Sequence, residues 1–270
     1  MTGLLNGCRA KIARSEELIG ILKEEINAFM NSDPGAYSTT RKMTDNQRNY
    51  IFIAKANQPI PEKFSILAGE IAHHLASSLD HLFSALVIRN GETLTRKQYF
   101  PVYVSSSEFN SPRVEKMLAD ISKSARDKVS ALQPFHSPTP ADTILAALKE
   151  INNTDKHRIL ISISGSATFG ETLIIGDGNP VFDIHGNPPS IIGLSMPKAV
   201  PINEVGNEFF RISLAEPTPE FEAEIKLVAN VSFIQLGLTD LAPVIEALTA
   251  MLGGVVHTIN EFSGEFDTDD

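Results

Sequence analysis

Between Gly69 and Leu86 the chain reads GEIAHHLASSLDHLFSAL, which places three of its seven histidines beside two acids and three serines. Imidazole and carboxylate side chains one or two helical turns apart can exchange protons, ligate a metal or hold each other in a buried network. At about 100° per residue, Glu70, His74, Ser78 and His81 share one flank of an apolar stripe made of Ile71, Leu75, Leu79, Leu82 and Leu86. His73, Ser77 and Asp80 fall on the opposite face. A second polar run, Asn152 to Arg158 (NNTDKHR), supplies Asp155, Lys156, His157 and Arg158. Counted from Ile144, Asp155 continues an apolar helical stripe, so partial burial and a cationic partner are expected for it.

Three chemistries fit these residues. The first is a polar network that joins the central helix to the Asp155–Arg158 junction, with His73, His74, Asp155 and Lys156 as its structural or ligand-binding members. The second is a divalent metal held by a set drawn from Glu70, His73, His74 and His81, since Glu70-x-x-His73 has the spacing of di-iron bundle ligands. The second Glu-x-x-His that such a centre requires is missing, so no metal ligand set is favoured and no cofactor is expected. The third is acid–base catalysis on a phosphate-bearing substrate by His81, Asp80, His157 and Arg158. Phosphate-cradling glycine loops, the G-x-S-x-G elbow and H-E-x-x-H are all absent. Cys8 lies on a core stripe and reads as inert.

The elements that must carry these groups follow from periodicity. Residues 4–30 have apolar positions at three–four spacing, broken at Ser15, and predict a long amphipathic helix ended by Asn31-Ser32-Asp33-Pro34-Gly35. Tyr50–Ala54 reads as a strand in an otherwise irregular stretch, and Pro59-Ile60-Pro61 starts the central helix, which Asn90-Gly91 ends. A third helix is expected from Ser111-Pro112 to Leu132 and a fourth from Thr139-Pro140-Ala141-Asp142. From Arg158 the period changes to two, and strands are expected at 158–164, 172–175, 181–184, 209–214 and 222–235. The loops at 176–180 and 185–189 read as turns. A last helix, starting at Thr239 or Asp240, carries the stripe Ile245, Leu248, Leu252, Val255, Ile259 and Phe262.

The reading is therefore an α+β protein. Its helical bundle is made of residues 1–157 and a returning helix at 237–263, with a β-rich insertion at 158–236 and a frayed acidic tail at 264–270. A net charge of −10 and a pI of about 5.2 argue against an extensive nucleic-acid surface. No apolar run approaches the roughly 18 residues of a membrane span, and the first residues turn charged too early for a secretory signal. With a single cysteine, a cytoplasmic location is the expectation. On the partner side, the expectation is a homodimer through the helical bundle.

The same residues resemble a widespread group of bacterial proteins whose central helix has the form G-D-x-x-H-N-L-R-S-x-L-D-H. The matching positions are Gly69, His73, Leu75, Ser77, Leu79, Asp80 and His81, followed in order by Phe100-Pro101, Gln133-Pro134-Phe135 and Asp155-Lys156-His157-Arg158. That group has no assigned activity to carry over. Its R-x-x-x-x-H string in turn resembles HEPN-type helical ribonucleases, which implies a metal-independent RNA hydrolase. In this chain Ala76 stands at the arginine position, His74 at the asparagine and Glu70 at the aspartate. The leading expectation is thus a binding or interaction protein with a His/Asp cluster. The alternatives are a HEPN-like hydrolase or a metal-binding bundle.

Overall fold

The computed structural model describes residues 3–157, 163–175, 185, 187, 189–196, 199–218, 221, 223–234 and 241–266. The fold is α+β, and the chain forms two compact units. One unit comprises Met1–Glu25, Glu62–Ser162 and Gln235–Asp270; the other comprises Ile26–Pro61 and Ile163–Ile234.

The helical unit begins with α1 (Asn6–Met30). Its buried face includes Cys8, Leu18 and Leu22. Ser15, the break in the stripe, is fully buried as well: its hydroxyl donates to the Lys11 carbonyl at 3.0 Å, so a polar residue sits in the core with its hydrogen bond made within the helix. α2 (Glu62–Arg89) is the central element. Phe64, Ile71, Leu75, Leu82 and Phe83 are completely buried along it, a far wider apolar arc than a surface helix shows. Gly91, at φ +83°, ends the helix in the left-handed region, where the Glu92 amide reaches the Val87 carbonyl at 3.1 Å.

The third expected helix is two in the structure, after a single turn α3 (Ser106–Phe109). α4 (Pro112–Leu118) stops and α5 (Lys123–Ala131) starts afresh, because Ser122 adopts an extended conformation and its Oγ accepts the Ala125 amide at 3.0 Å. An N-cap inside a continuous apolar stripe thus overrides the stripe: Val114, Leu118, Ile121, Ala125 and Val129 are all buried, but on two helices and the turn between them. The fourth helix also starts later than expected. Pro140–Asp142 forms a 3₁₀ turn, and α6 (Ile144–His157) follows it. α7 (Val244–Glu261) starts after Pro243 and packs on both α2 and α6, while Thr239 and Asp240 lie outside the described residues. Among the described residues no helix is long and apolar enough to cross a membrane.

The β-rich unit takes in residues 26–61, which the sequence reading assigned to the helical half. Strands β1 (Tyr37–Thr44) and β2 (Asn49–Ala56) form an antiparallel hairpin there. Of the later strands, β3 (Ile163–Ile175), β4 (Ile191–Ser195), β5 (Val200–Ile202), β6 (Asn207–Leu214) and β7 (Ala223–Phe233), the sequence reading missed β4 and β5. The expected strand at 181–184 and the turn at 176–180 lie outside the described residues. One sheet has the order β1-β2-β6-β4 and the other β5-β3-β7. The alternation Tyr50, Phe52, Ala54 places these three on the buried side of β2, with Tyr50 opposite Ile212 and Phe52 opposite Phe210. Ala167 of β3, Ile202 of β5 and Phe221 complete that core.

Candidate functional site

α2 distributes the expected cluster around itself instead of gathering it. The flank carrying Glu70, His74, Ser78 and His81 turns toward α1. The Lys11 ammonium donates to His74 Nδ1 at 3.1 Å, which makes the imidazole a neutral acceptor. Burial, the Lys11 charge and the neighbouring His73 and Arg14 all press the His74 pKa below its ordinary value, and Glu70 opposes them. Ser78 is buried, its hydroxyl bonded to the Leu75 carbonyl at 2.7 Å. The His81 ring lies against the backbone of α1 at Gly7, where an added Cβ would collide with its Nδ1. Glu70, His73 and His81 are exposed on the surface. The flank thus meets α1 through the side chains of His74 and His81, and Gly7 leaves room for the His81 ring.

Asp80 points elsewhere. Its Oδ1 accepts the Phe100 amide at 3.0 Å, fastening the Tyr99–Tyr103 segment to α2. His81 and Asp80, expected to work together, therefore serve different neighbours; adjacent helical residues diverge by about 100°. Among the described residues no group of three or more His, Cys, Asp or Glu could hold a metal ion. Asp155, Lys156 and His157 form the last turn of α6, but their side chains and the whole of Arg158 lie outside the described residues.

The site that the structure does form stands between α2, the Tyr99–Val102 segment and α6. It is a cavity of about 330 Å³. Leu79 and Phe100 line it beside Leu145 and Leu148, and Asp80, Tyr99, Lys149, Asn152 and Asn153 supply its polar groups. The expected stripe of α6, Ile144, Leu148 and Ile151, is met at Leu148 and Ile151 and missed at Ile144. Ile144 is exposed, while Leu145, Leu148, Ile151 and Asn152 are buried, because α2 and α7 both pack against this helix and widen its covered arc. Asn152 is only 7% exposed, and its Oδ1 has no hydrogen-bond partner among the described residues. Lys149, one turn earlier, donates to the Val102 carbonyl at 2.7 Å and lies 4.7 Å from the centre of the Tyr103 ring. Burial lowers the Lys149 pKa, and Glu108 and Glu150 work against that fall. The Tyr103 hydroxyl meets that of Tyr99 at 2.8 Å; burial and this bond push its pKa up to about 12.

Sequence reasoning gave no role to Lys149, Tyr99 or Tyr103, and named Asn152 only as the start of a polar run. A signal for Asn152 was present: it follows Leu148 by four residues and so places an amide on an apolar helix face. Nothing in the sequence marked Lys149, whose role comes from the Val102 carbonyl and Tyr103 ring brought to it by the fold. Comparison of the chain with protein-family models, with curated proteins and with solved structures finds no match.

The His74 seam has a pH signature. Its folded pKa lies below the ordinary 6.5, so the unfolded chain binds a proton that the folded one refuses as pH falls. Its contribution to stability is complete above about pH 6.5, declines below it and is gone once pH passes the lowered folded value. At this partly exposed site, solvent screening holds the effect below about 1 kcal/mol. Urea midpoints for wild type and His74→Gln should converge at pH values below the transition and separate above it; parallel curves would show that His74 does not titrate in this way.

Proposed function

We infer that the protein is a binding protein and that the cavity between α2 and α6 holds its small-molecule ligand. The observation that carries this reading is Asn152. A buried amide oxygen left unbonded costs about 1–3 kcal/mol, and folded proteins keep few such atoms. Asn152 is also one of the residues that line a cavity of about 330 Å³, within the size range of small-ligand pockets. Hydrophobic walls with a few convergent polar groups are the usual composition of such sites. Leu79, Leu145 and Leu148 provide the walls; Lys149 and Asp80 provide a basic and an acidic group.

The test uses the fluorescent anion anilinonaphthalene sulfonate, whose rings match the apolar walls and whose sulfonate suits Lys149. The full-length chain should bind the dye at one saturable site. Leu79→Trp fills the cavity from α2 and should reduce dye binding at least tenfold while the melting temperature holds. Ala76→Leu, also on the cavity wall, offers a second filler should the tryptophan variant not fold. Dye binding that is unsaturable, or unchanged in both folded variants, would overturn the assignment.

A further inference from the structure

We propose that the acidic tail Asp267–Asp270 docks on a basic corner of its own chain, formed by Arg89 at the end of α2 and Lys123 at the start of α5. Four of the six residues from Glu265 to Asp270 are acids. The first of them shows where the run is headed. The Glu265 carboxylate meets Ser122 Oγ, Ser124 Oγ and Lys128 Nζ, and its carbonyl accepts from Arg89 Nε at 3.3 Å. Residues 267–270 lie outside the described residues, but the turn from which they leave, Ser263–Glu265, is fixed. At about 3.3–3.6 Å per extended residue, the Cα of Asp267 stands within about 7 Å of that of Glu265, and the Cα of Asp270 within about 18 Å. Arg89 touches Glu265 itself. Lys123 is the first residue of α5 and stands between the two serines that bond Glu265.

Charge decides the destination. The chain carries −10 overall, so much of its surface repels a run of carboxylates. Residues 86–133 run the other way, with eight Lys and Arg against five Asp and Glu. Arg89, Lys123, Arg126 and Lys128 belong to that stretch, and Lys123 and Arg126 are exposed. Arg89 presents a planar fork of N–H groups that suits carboxylate oxygens, and Lys123 a compact ammonium. The positive end of the α5 dipole adds to their attraction. A tail tied at Glu265 meets these groups as an intramolecular partner, which spares it the cost of a free encounter. The docked tail is an electrostatic latch on the turn after α7. That helix packs on both α2 and α6, which wall the pocket.

The experiment is cross-linking of the full chain with a water-soluble carbodiimide, which joins a carboxylate directly to a lysine amine in contact with it. Peptide mass spectrometry reads the products. Glu265 and Lys128, 2.9 Å apart, supply the internal control. At about 20 mM salt, Lys123 should couple to at least one of Asp267, Asp269 and Asp270. Arg89→Lys keeps the charge, adds a reactive amine and should couple to the tail as well. Both yields should fall at least about fivefold at about 1 M salt, where the Debye length is about 3 Å. Mixing ordinary with isotope-labelled chains separates a tail bound to its own chain from one bound to a second copy. The control cross-link without any tail cross-link overturns the proposal, as do tail cross-links that join labelled to unlabelled chains. A second arm neutralises the tail by Asp267→Asn, Asp269→Asn and Asp270→Asn together. The Phe262, Glu265 and Phe266 amides are hydrogen-bonded in the turn. Their hydrogen exchange should quicken at least about threefold at low salt and match wild type at about 1 M. Equal exchange at low salt overturns the latch.

Discussion

Asn152→Leu is expected to make the protein more stable, by about 1–3 kcal/mol. Most substitutions at buried positions destabilise, so the sign of this one is diagnostic. The argument begins with the side chain's surroundings. Asn152 is 7% exposed, its Oδ1 is unbonded among the described residues, and Leu145, Leu148 and Ile151 lie on the same covered arc of α6. Leucine has nearly the shape of asparagine, forfeits none of the hydrogen bonds seen here and abolishes the unsatisfied acceptor. It is also the better helix former by a few tenths of a kcal/mol. Retention of a costly amide in such a place is the pattern of a residue kept for function at the expense of stability. Guanidinium unfolding followed by helical circular dichroism measures the change. A loss of more than about 1 kcal/mol in the variant would mean that the amide is satisfied in the folded protein, and the reading of the pocket would lose its support.

Glu265→Ala should act in the opposite direction, with a loss of about 2–4 kcal/mol. Glu265 ends the short 3₁₀ turn Ser263–Glu265 that follows α7. Its carboxylate accepts from Ser122 Oγ at 3.1 Å and Ser124 Oγ at 2.6 Å at the start of α5, and pairs with Lys128 Nζ at 2.9 Å. The side chain is 13% exposed, so the attraction is less screened than at a surface pair. Removing it strands the Lys128 ammonium, which also lies 5.9 Å from the Phe262 ring centre. The Glu265 carbonyl accepts from Arg89 Nε at 3.3 Å, which fastens the same turn to the end of α2.

The carboxylate also carries a pH dependence. Burial alone would raise its pKa, but the bonds from Lys128, Ser124 and Ser122 outweigh burial and hold it below the ordinary 4.5. The folded protein therefore releases this proton more readily than the unfolded chain does. The stabilisation is complete above about pH 4.5 and is lost as pH falls through the lowered folded value. The stability gap between wild type and Glu265→Gln should accordingly shrink in acid. A gap that stays constant down to about pH 3 would show that the bonds do not depend on the charge.

Much of the helical architecture was legible because apolar spacing leaves a direct trace. The stripes of α1, α2 and α7 name residues that are in fact buried: Cys8 and Leu22, Ile71, Leu75 and Leu82, Leu248 and Val255. Gly91 ended α2 as its permissive backbone requires. Breaks were harder to read, because a stripe does not record them. Ser122 divides the third helix through one hydroxyl bonded to one amide, and the apolar pattern passes over it unchanged. The hairpin β1–β2 was half seen. β2 alternates cleanly, but β1, YSTTRKMT, is an exposed edge strand with no apolar face to mark it.

For the candidate site the division is sharper. By itself the sequence determined that α2 would carry two polar flanks, and that Asp80 and His81 would diverge by the roughly 100° between helical neighbours. It could not say what each flank would meet. His74 faces Lys11 and His81 faces Gly7, residues at the far N-terminal end of the chain. Asp80 faces the Phe100 amide, and the pocket wall draws on residues from Ala76 to Asn153. Local pattern sets which side of a helix is covered. Only tertiary packing selects the residue on the other side, because that choice depends on how distant segments fill one volume. An amide oxygen with no partner among the described residues, such as that of Asn152, becomes visible only once its tertiary neighbours are in place.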